Sequence, residues 1–396
     1  MNTSAGSFPA PISASKSVTD ASAVRVPWTV WACVSASILI AIGLYWDISW
    51  HETIGRDSFW TPAHLLIQLG GLLTGLVCAI TIFGATFQPN GTARTSSVNV
   101  LGFRGPLGAF IAAWGGLAMV TSAPFDNWWH DAYGLDVKIL SPPHVLLAIG
   151  IAGIVWGGLL LTVAEMNRAE GAQRIRLQRL CLLLGGFVIV HSMILRLEYT
   201  NKVLLHSSLS YISLGVGLLL VLEAPARAAR HRWARTIIAG VYSLFTVLML
   251  WILPLFPASP KLGPVYQPIT HMVPLPWPIL LVVPAFVLDL LWPMFGKAPR
   301  WQQALFGGVA FMTVLVVVQW PFATFLMSPA ARNWFFHPAN YPYFTPANAA
   351  TVRYVFVKLD DTAAQFWRGM GIAFAFSVAS LWLGIVFGTW LKKIQR

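Results

Sequence analysis

The sequence predicts an all-α polytopic membrane protein with about ten transmembrane helices and a duplicated helical-hairpin unit in its N-terminal half. Three observations carry this expectation. A soluble chain has about 25% charged residues, whereas this one of 396 residues has 10%, with 57% hydrophobic residues and a mean hydropathy of +0.67. Apolar runs of roughly 20 residues, enough to cross a bilayer as helix, recur along the whole chain. The charges between those runs sort by side.

The runs fall near 27–46, 62–87, 106–125, 142–164, 177–197, 203–222, 234–256, 276–295, 301–326 and 366–391, the fifth and sixth being separated least clearly. Residues 1–26 are rich in Ser, Ala and Pro. They lack the charged start and short apolar core of a cleavable signal, and so read as a flexible cytoplasmic tail before an uncleaved first span. With that tail inside, the inner segments hold 17 of the 26 basic residues, among them Arg94, Arg104, Arg168, Arg174, Arg227, Arg235, Lys297 and Lys392. The net charge of +12 therefore reports orientation in a bilayer, not affinity for nucleic acid. Both termini are expected to be cytoplasmic, in a bacterial inner membrane. Cys33, Cys78 and Cys181 each fall inside a run with no CxxC pairing and read as buried thiols. Tryptophans such as Trp28, Trp46, Trp60, Trp128 and Trp277 sit at run ends, where indole favours the interface.

The repeat runs from about 27 to 87 and again from about 106 to 164, within a unit spanning 27–165. Its first copy holds DISWHETIGRDSFWTPAH from Asp47 to His64, and its second DNWWHDAYGLDVKILSPPH from Asp126 to His144. Each has Asp-x3-His, Gly-x-Asp and Pro-x-His on the external side. Residues four apart share one helix face, so Asp47 with His51, and Asp126 with His130, can bind one ion. Thr61 and Ser141 read as N-caps, with Pro62 and Pro142 as first helical residues. This places His64 and His144 in the first turn of the next helix. Two imidazoles and one carboxylate are the ligand set of open iron, zinc or copper sites. The acids Glu52, Asp57, Asp131 and Asp136 are placed either to accept the far N–H of a ligating histidine or simply to be solvated.

DISWHETIGRDSFWTPAH resembles the ligand stretch in one membrane-embedded subunit of the particulate methane and ammonia monooxygenases, the copper membrane monooxygenase family, which has an Asp-x3-His-x12-His set there. The likeness includes the Trp50-His51 pair, Arg56-Asp57 and Thr61-Pro62-x-His64, and it covers about residues 45–165. The resemblance implies copper at Asp47, His51 and His64. These residues would act in O2-dependent hydroxylation of a small apolar substrate, behind a wall of Trp46, Trp50, Trp60, Trp128 and Trp129. By the same resemblance Asp126, His130 and His144 hold a second ion. There the family pattern leads one to expect asparagine at position 126, and the aspartate favours a harder or more oxidised ion. Leu135 stands where the first copy has Arg56, so the copies are not equivalent.

Residues 166–396 add further spans and two long external loops, 257–275 and 327–365, rich in proline and aromatic residues. His271 and His337 in those loops read as interface histidines or as third ligands, and His191 and His206 as interior histidines. Asp289, deep in the eighth span, reads either as a relay or as a partner for a neighbouring helix. Besides the bilayer, the expected partners are further membrane subunits or a second copy of the chain. Two other functions fit the same ligands: a metal transporter or metallochaperone, and a scaffold subunit with structural metal sites.

Overall fold

The computed structural model describes residues 26–55, 60–88, 96–134, 141–200, 204–336, 343–344 and 360–396. The expected tail (1–25), Arg56, Asp57, Leu135, Asp136, His337 and most of the 327–365 loop lie outside the described residues. The rest is a helical, membrane-spanning protein. Nine helical segments among the described residues are long and apolar enough to cross a bilayer.

The first four are α1 (Trp28–Thr53), α2 (Pro62–Phe87), α3 (Leu107–Tyr133) and α4 (Pro142–Arg168). α1 packs on α2 and α3 on α4; α2 also lies against α3 and α1 against α4, which closes a four-helix ring. Small residues set the contacts, as expected where backbones approach closely within a membrane. Gly70 of α2 faces the Ala36 carbonyl and Ile40, and Gly150 of α4 faces the Gly115 carbonyl and Met119. These positions are offset by the 79 or 80 residues that separate the two sequence copies, so the hairpins pack in the same way. Between α2 and α3 a short hairpin of β1 (Val98–Val100) and β2 (Phe103–Gly105) turns through Leu101 and Gly102, both at positive φ.

α5 (Gly171–Ile194) packs on α4 and leads into the sixth span, which is broken into α6 (Ser208–Gly215) and α7 (Leu218–Ala229). The break falls at Gly217, with φ +76°. Arg196 satisfies the carbonyls freed there: its Nε donates to Ser213 O at 3.0 Å and its Nη2 to Val216 O. Burial draws the Arg196 guanidinium down to about 10.

α8 (Ala234–Ile252), α9 (Val282–Phe295), α10 (Arg300–Met327) and α11 (Ala363–Leu391) complete the fold. The eighth expected span, 276–295, is helical only from Val282. Pro274, Pro276 and Pro278 alternate along the approach; they remove amide donors and push the preceding residues toward extended backbone. Tyr242 Oη and Gln319 Oε1 accept the amides of Ile279 and Leu280 instead.

The 257–275 loop docks on the end of α1. Lys261 N donates to Ile54 O, Ser49 Oγ to Val273 O, and Val273 N to Thr53 Oγ1, at 2.9, 2.7 and 2.8 Å. Tyr343 joins this cover through backbone bonds to Tyr266 and Glu52. Burial, and then the nearby Glu52 charge, raise its phenol above the usual range.

Candidate metal centres

The helix periodicity places Asp47 and His51 one turn apart near the end of α1, and α2 delivers His64 to the same point. His64 Nε2 lies 2.9 Å from Asp47 Oδ1 and His51 Nε2 lies 3.7 Å from it. Thr61 caps α2 by accepting from His64 N at 3.3 Å, so the residue that starts the helix also fixes the backbone of the ligand. His51 is the outward member, its side chain 46% exposed.

In the second copy α3 presents Asp126 and His130, and α4 presents His144. The two Nε2 atoms stand 3.3 and 3.5 Å from Asp126 Oδ1. Here His130 is the enclosed member, 9% exposed. Its Nδ1 lies 2.9 Å from Gly134 O. A carbonyl only accepts, so Nδ1 carries a proton and Nε2 is the ring atom presented to the carboxylate. Asp126 Oδ1 is buried and accepts no hydrogen bond. In each triad the three ligand atoms lie within 4.8 Å of one another, and among the described residues only these two groups of three or more such ligands converge. The centres are neighbours, since α1, which carries Asp47, packs on α4, which carries His144.

Several expectations are corrected. Ser141 occupies the N-cap position, but its hydroxyl is buried and makes no hydrogen bond; the two prolines after it preset the first turn without one. Glu52 and Asp131 are helical, not loop residues. Adjacent residues on a helix do not face each other, so Asp131 does not serve His130. It accepts from Asn127 Nδ2 at 3.3 Å, while the backbone of Gly134 orients the imidazole. Trp60 and Trp128 face outward and do not close a wall over the triads.

Elsewhere, His206 Nε2 meets Thr324 Oγ1 at 2.9 Å, and His271 is tied to Thr270 in the 257–275 loop; neither joins a triad. His191 is buried, with its Nδ1 on Phe187 O. Asp289 pairs with Arg235, which is itself buried in α8 and not in a solvated loop. Glu223, absent from the sequence reading, takes the other side of the same guanidinium. Its sequence signal was the Glu223-x3-Arg227 spacing, an i, i+4 pair in an apolar run.

Comparison of the chain with protein-family models, with curated proteins and with solved structures returns no match.

Proposed function

We propose that this membrane protein holds a transition-metal ion at each Asp/His/His triad, copper being the ion that the sequence resemblance names. One observation supports this most directly. Asp126 Oδ1 is buried and accepts no hydrogen bond, while the Nε2 atoms of His130 and His144 stand 3.3 and 3.5 Å from it. A buried carboxylate oxygen without a hydrogen bond is costly. A cation shared with the two imidazoles would remove that cost, and a set of two nitrogens and one oxygen suits copper, iron or zinc.

The finer proposal is O2-dependent hydroxylation of a small apolar molecule at the first triad. A bound copper ion would supply the redox chemistry. The chain itself orients His64 through the Thr61 cap and keeps Asp47 between two imidazoles. It leaves His51 toward the open side, and α2 turns Leu65, Leu69, Leu72 and Leu76 outward as an apolar approach from the bilayer.

The test is metal analysis of the full chain in detergent, with His51→Ala and His130→Ala variants beside it. Copper in the wild type that falls in each variant supports the site assignment. A wild type that takes up no transition metal overturns it. Bound copper without substrate-dependent oxygen uptake in the presence of a reductant overturns hydroxylation, and assigns the sites to transport or to a scaffold.

A further inference from the structure

Below the first triad, α1 and α2 carry two thiols to one level of the membrane. The hairpin register is fixed by Gly43 against Ile67 and by Gly70 against Ile40. Seven residues along α1 from Ile40 lead to Cys33, and eight along α2 from Gly70 lead to Cys78, so the antiparallel helices bring the two side chains opposite each other. α1 and α2 pack directly on each other along this stretch. Both thiols are free and fully buried. α4 closes the site: a Cβ at Gly158 would stand 2.6 Å from Cys33 Cβ and 3.5 Å from its Sγ.

The same face of α2 carries further donor groups between the thiols and the triad. His64, Gln68, Gly71, Thr74 and Cys78 follow the i, i+4, i+7 spacing of one helix face. Met119 of α3, fully buried, lies against Gly71. Gln68 Oε1 and Thr74 Oγ1 are buried and make no hydrogen bond. Thr74 is itself fully buried and stands one turn from Cys78. A threonine inside a helix ordinarily bonds the carbonyl four residues back, as Thr81, Thr86 and Thr162 do here. Thr74 does not.

We propose that Cys33 and Cys78 form a soft-metal site for a monovalent d10 ion, Cu(I) or Ag(I), about 21 Å along the hairpin from the Asp47 triad at 1.5 Å per residue. Thiol and thioether sulfur select Cu(I) over harder ions. Structural zinc needs four ligands in a tetrahedron, and this site offers two sulfurs, which suit low coordination. The charge also fits. A monovalent ion that displaces one thiol proton leaves a neutral thiolate–metal–thiol unit, whereas a net charge would be costly in an apolar interior. The released proton leaves to solvent, and no electron is transferred. Gln68, Met119 and Thr74 make the α1–α2 interior a line of donors between this site and the triad. The site does not depend on metal at either triad.

The test uses the full chain, purified anaerobically in detergent and titrated with Cu(I) against a competing chelator. Cys33→Ser and Cys78→Ser should each lose one bound Cu(I) relative to wild type. Cys181→Ser, which removes a buried thiol on another helix, should lose none. X-ray absorption of the wild type should show sulfur next to the ion, and that sulfur should persist in Met119→Leu and in the His51→Ala/His130→Ala double variant. Persistence there separates this site from the triads, so either assignment can fail alone. If the serine variants do not fold, the wild-type and Met119→Leu spectra decide. Nitrogen and oxygen neighbours alone, equal stoichiometry in Cys33→Ser and wild type, or recovery of Cys33–Cys78 as a disulfide from anaerobic protein would each overturn the proposal.

Discussion

Two clusters of charge in this molecule are built on opposite plans. In the cluster at Glu223, Arg235 and Asp289, every carboxylate oxygen has a donor. Glu223 receives Arg235 Nε at 2.7 Å, Arg235 Nη2 at 3.0 Å and Arg227 Nε at 3.0 Å. Asp289 receives Arg235 Nη1 at 2.9 Å together with the amide and hydroxyl of Thr236. Trp292 covers the guanidinium at 3.7 Å, and Gln303 ties Arg227 to α10. At the second triad one carboxylate oxygen, Asp126 Oδ1, accepts no hydrogen bond, and two imidazole nitrogens stand 3.3 and 3.5 Å from it. The Arg235 cluster is buried, where an unpaired polar group is expensive, whereas Asp126 and His144 are 22% and 36% exposed. The satisfied cluster therefore serves the fold by joining α7, α8, α9 and α10. The second has the composition of a metal-ligand set.

The largest effect should come from the satisfied cluster. Arg235→Ala leaves two buried carboxylates facing each other, and removing one partner of a buried ion pair costs about 3–5 kcal/mol. Thermal unfolding in detergent should show this as a large fall in Tm or as loss of monodisperse protein. Asp126→Ala should cost far less. Asp126 is 22% exposed and its Oδ1 accepts no hydrogen bond, so the metal-free protein should keep most of its Tm while metal bound at the second triad is lost. Equal destabilisation by the two variants would erase the distinction between the clusters.

The next effect sharpens the same distinction through linkage. A ligand that binds only the folded state at about 100 times its Kd stabilises that state by about 2.7 kcal/mol. Copper should raise the Tm of the wild type and leave the Asp47→Ala/Asp126→Ala double variant unchanged. The Arg235 cluster has no open ligand position and should contribute nothing to this shift.

Much of this is legible in the sequence, because both signals are local. Apolar runs and the asymmetry of basic residues mark the spans, and i, i+4 spacing with Pro-x-His marks the triads. What is not legible depends on contacts between distant segments or on direction. Arg235 reads as one of the solvated inner charges because its partners Glu223 and Asp289 lie on other helices. Asp131 is a candidate partner for His130 by proximity in sequence, yet one step along a helix turns a side chain away from its neighbour. The span at 276–295 loses its first turns to three alternating prolines that an apolar count does not weigh. Cys33 and Cys78 become a pair only once the hairpin register is known.

A smaller effect concerns how the histidines are held. Gly55 and Gly134 are equivalent residues in the two copies, each following the end of its helix, with φ +95° and +84°. Alanine at either position is strained, at a cost of order 1–3 kcal/mol for such backbone. Gly134→Ala meets no neighbour within 4 Å among the described residues, so backbone strain dominates its stability cost. It also shifts the carbonyl that fixes His130. Loss of an orienting partner typically weakens metal affinity by about 10–100-fold. Gly55→Ala adds crowding against Leu262 and Tyr343, each 2.8 Å from the new Cβ, and should be the more destabilising of the two. Comparing Tm and metal affinity for the pair separates fold cost from site cost.

The smallest effect carries the contrast down to single hydroxyls. Thr61 Oγ1 accepts from His64 N and caps α2, so Thr61→Ala should cost about 1 kcal/mol. Ser141 holds the equivalent position before α4, but its hydroxyl is buried and unpartnered. Removing an unpaired buried hydroxyl releases a desolvation cost instead of breaking a bond. Ser141→Ala should therefore leave Tm unchanged or slightly raised. Chemical denaturation of the two variants side by side reads the difference. A loss for Ser141→Ala equal to that for Thr61→Ala would mean that Ser141 does cap its helix, and that the two copies open their second helices in the same way.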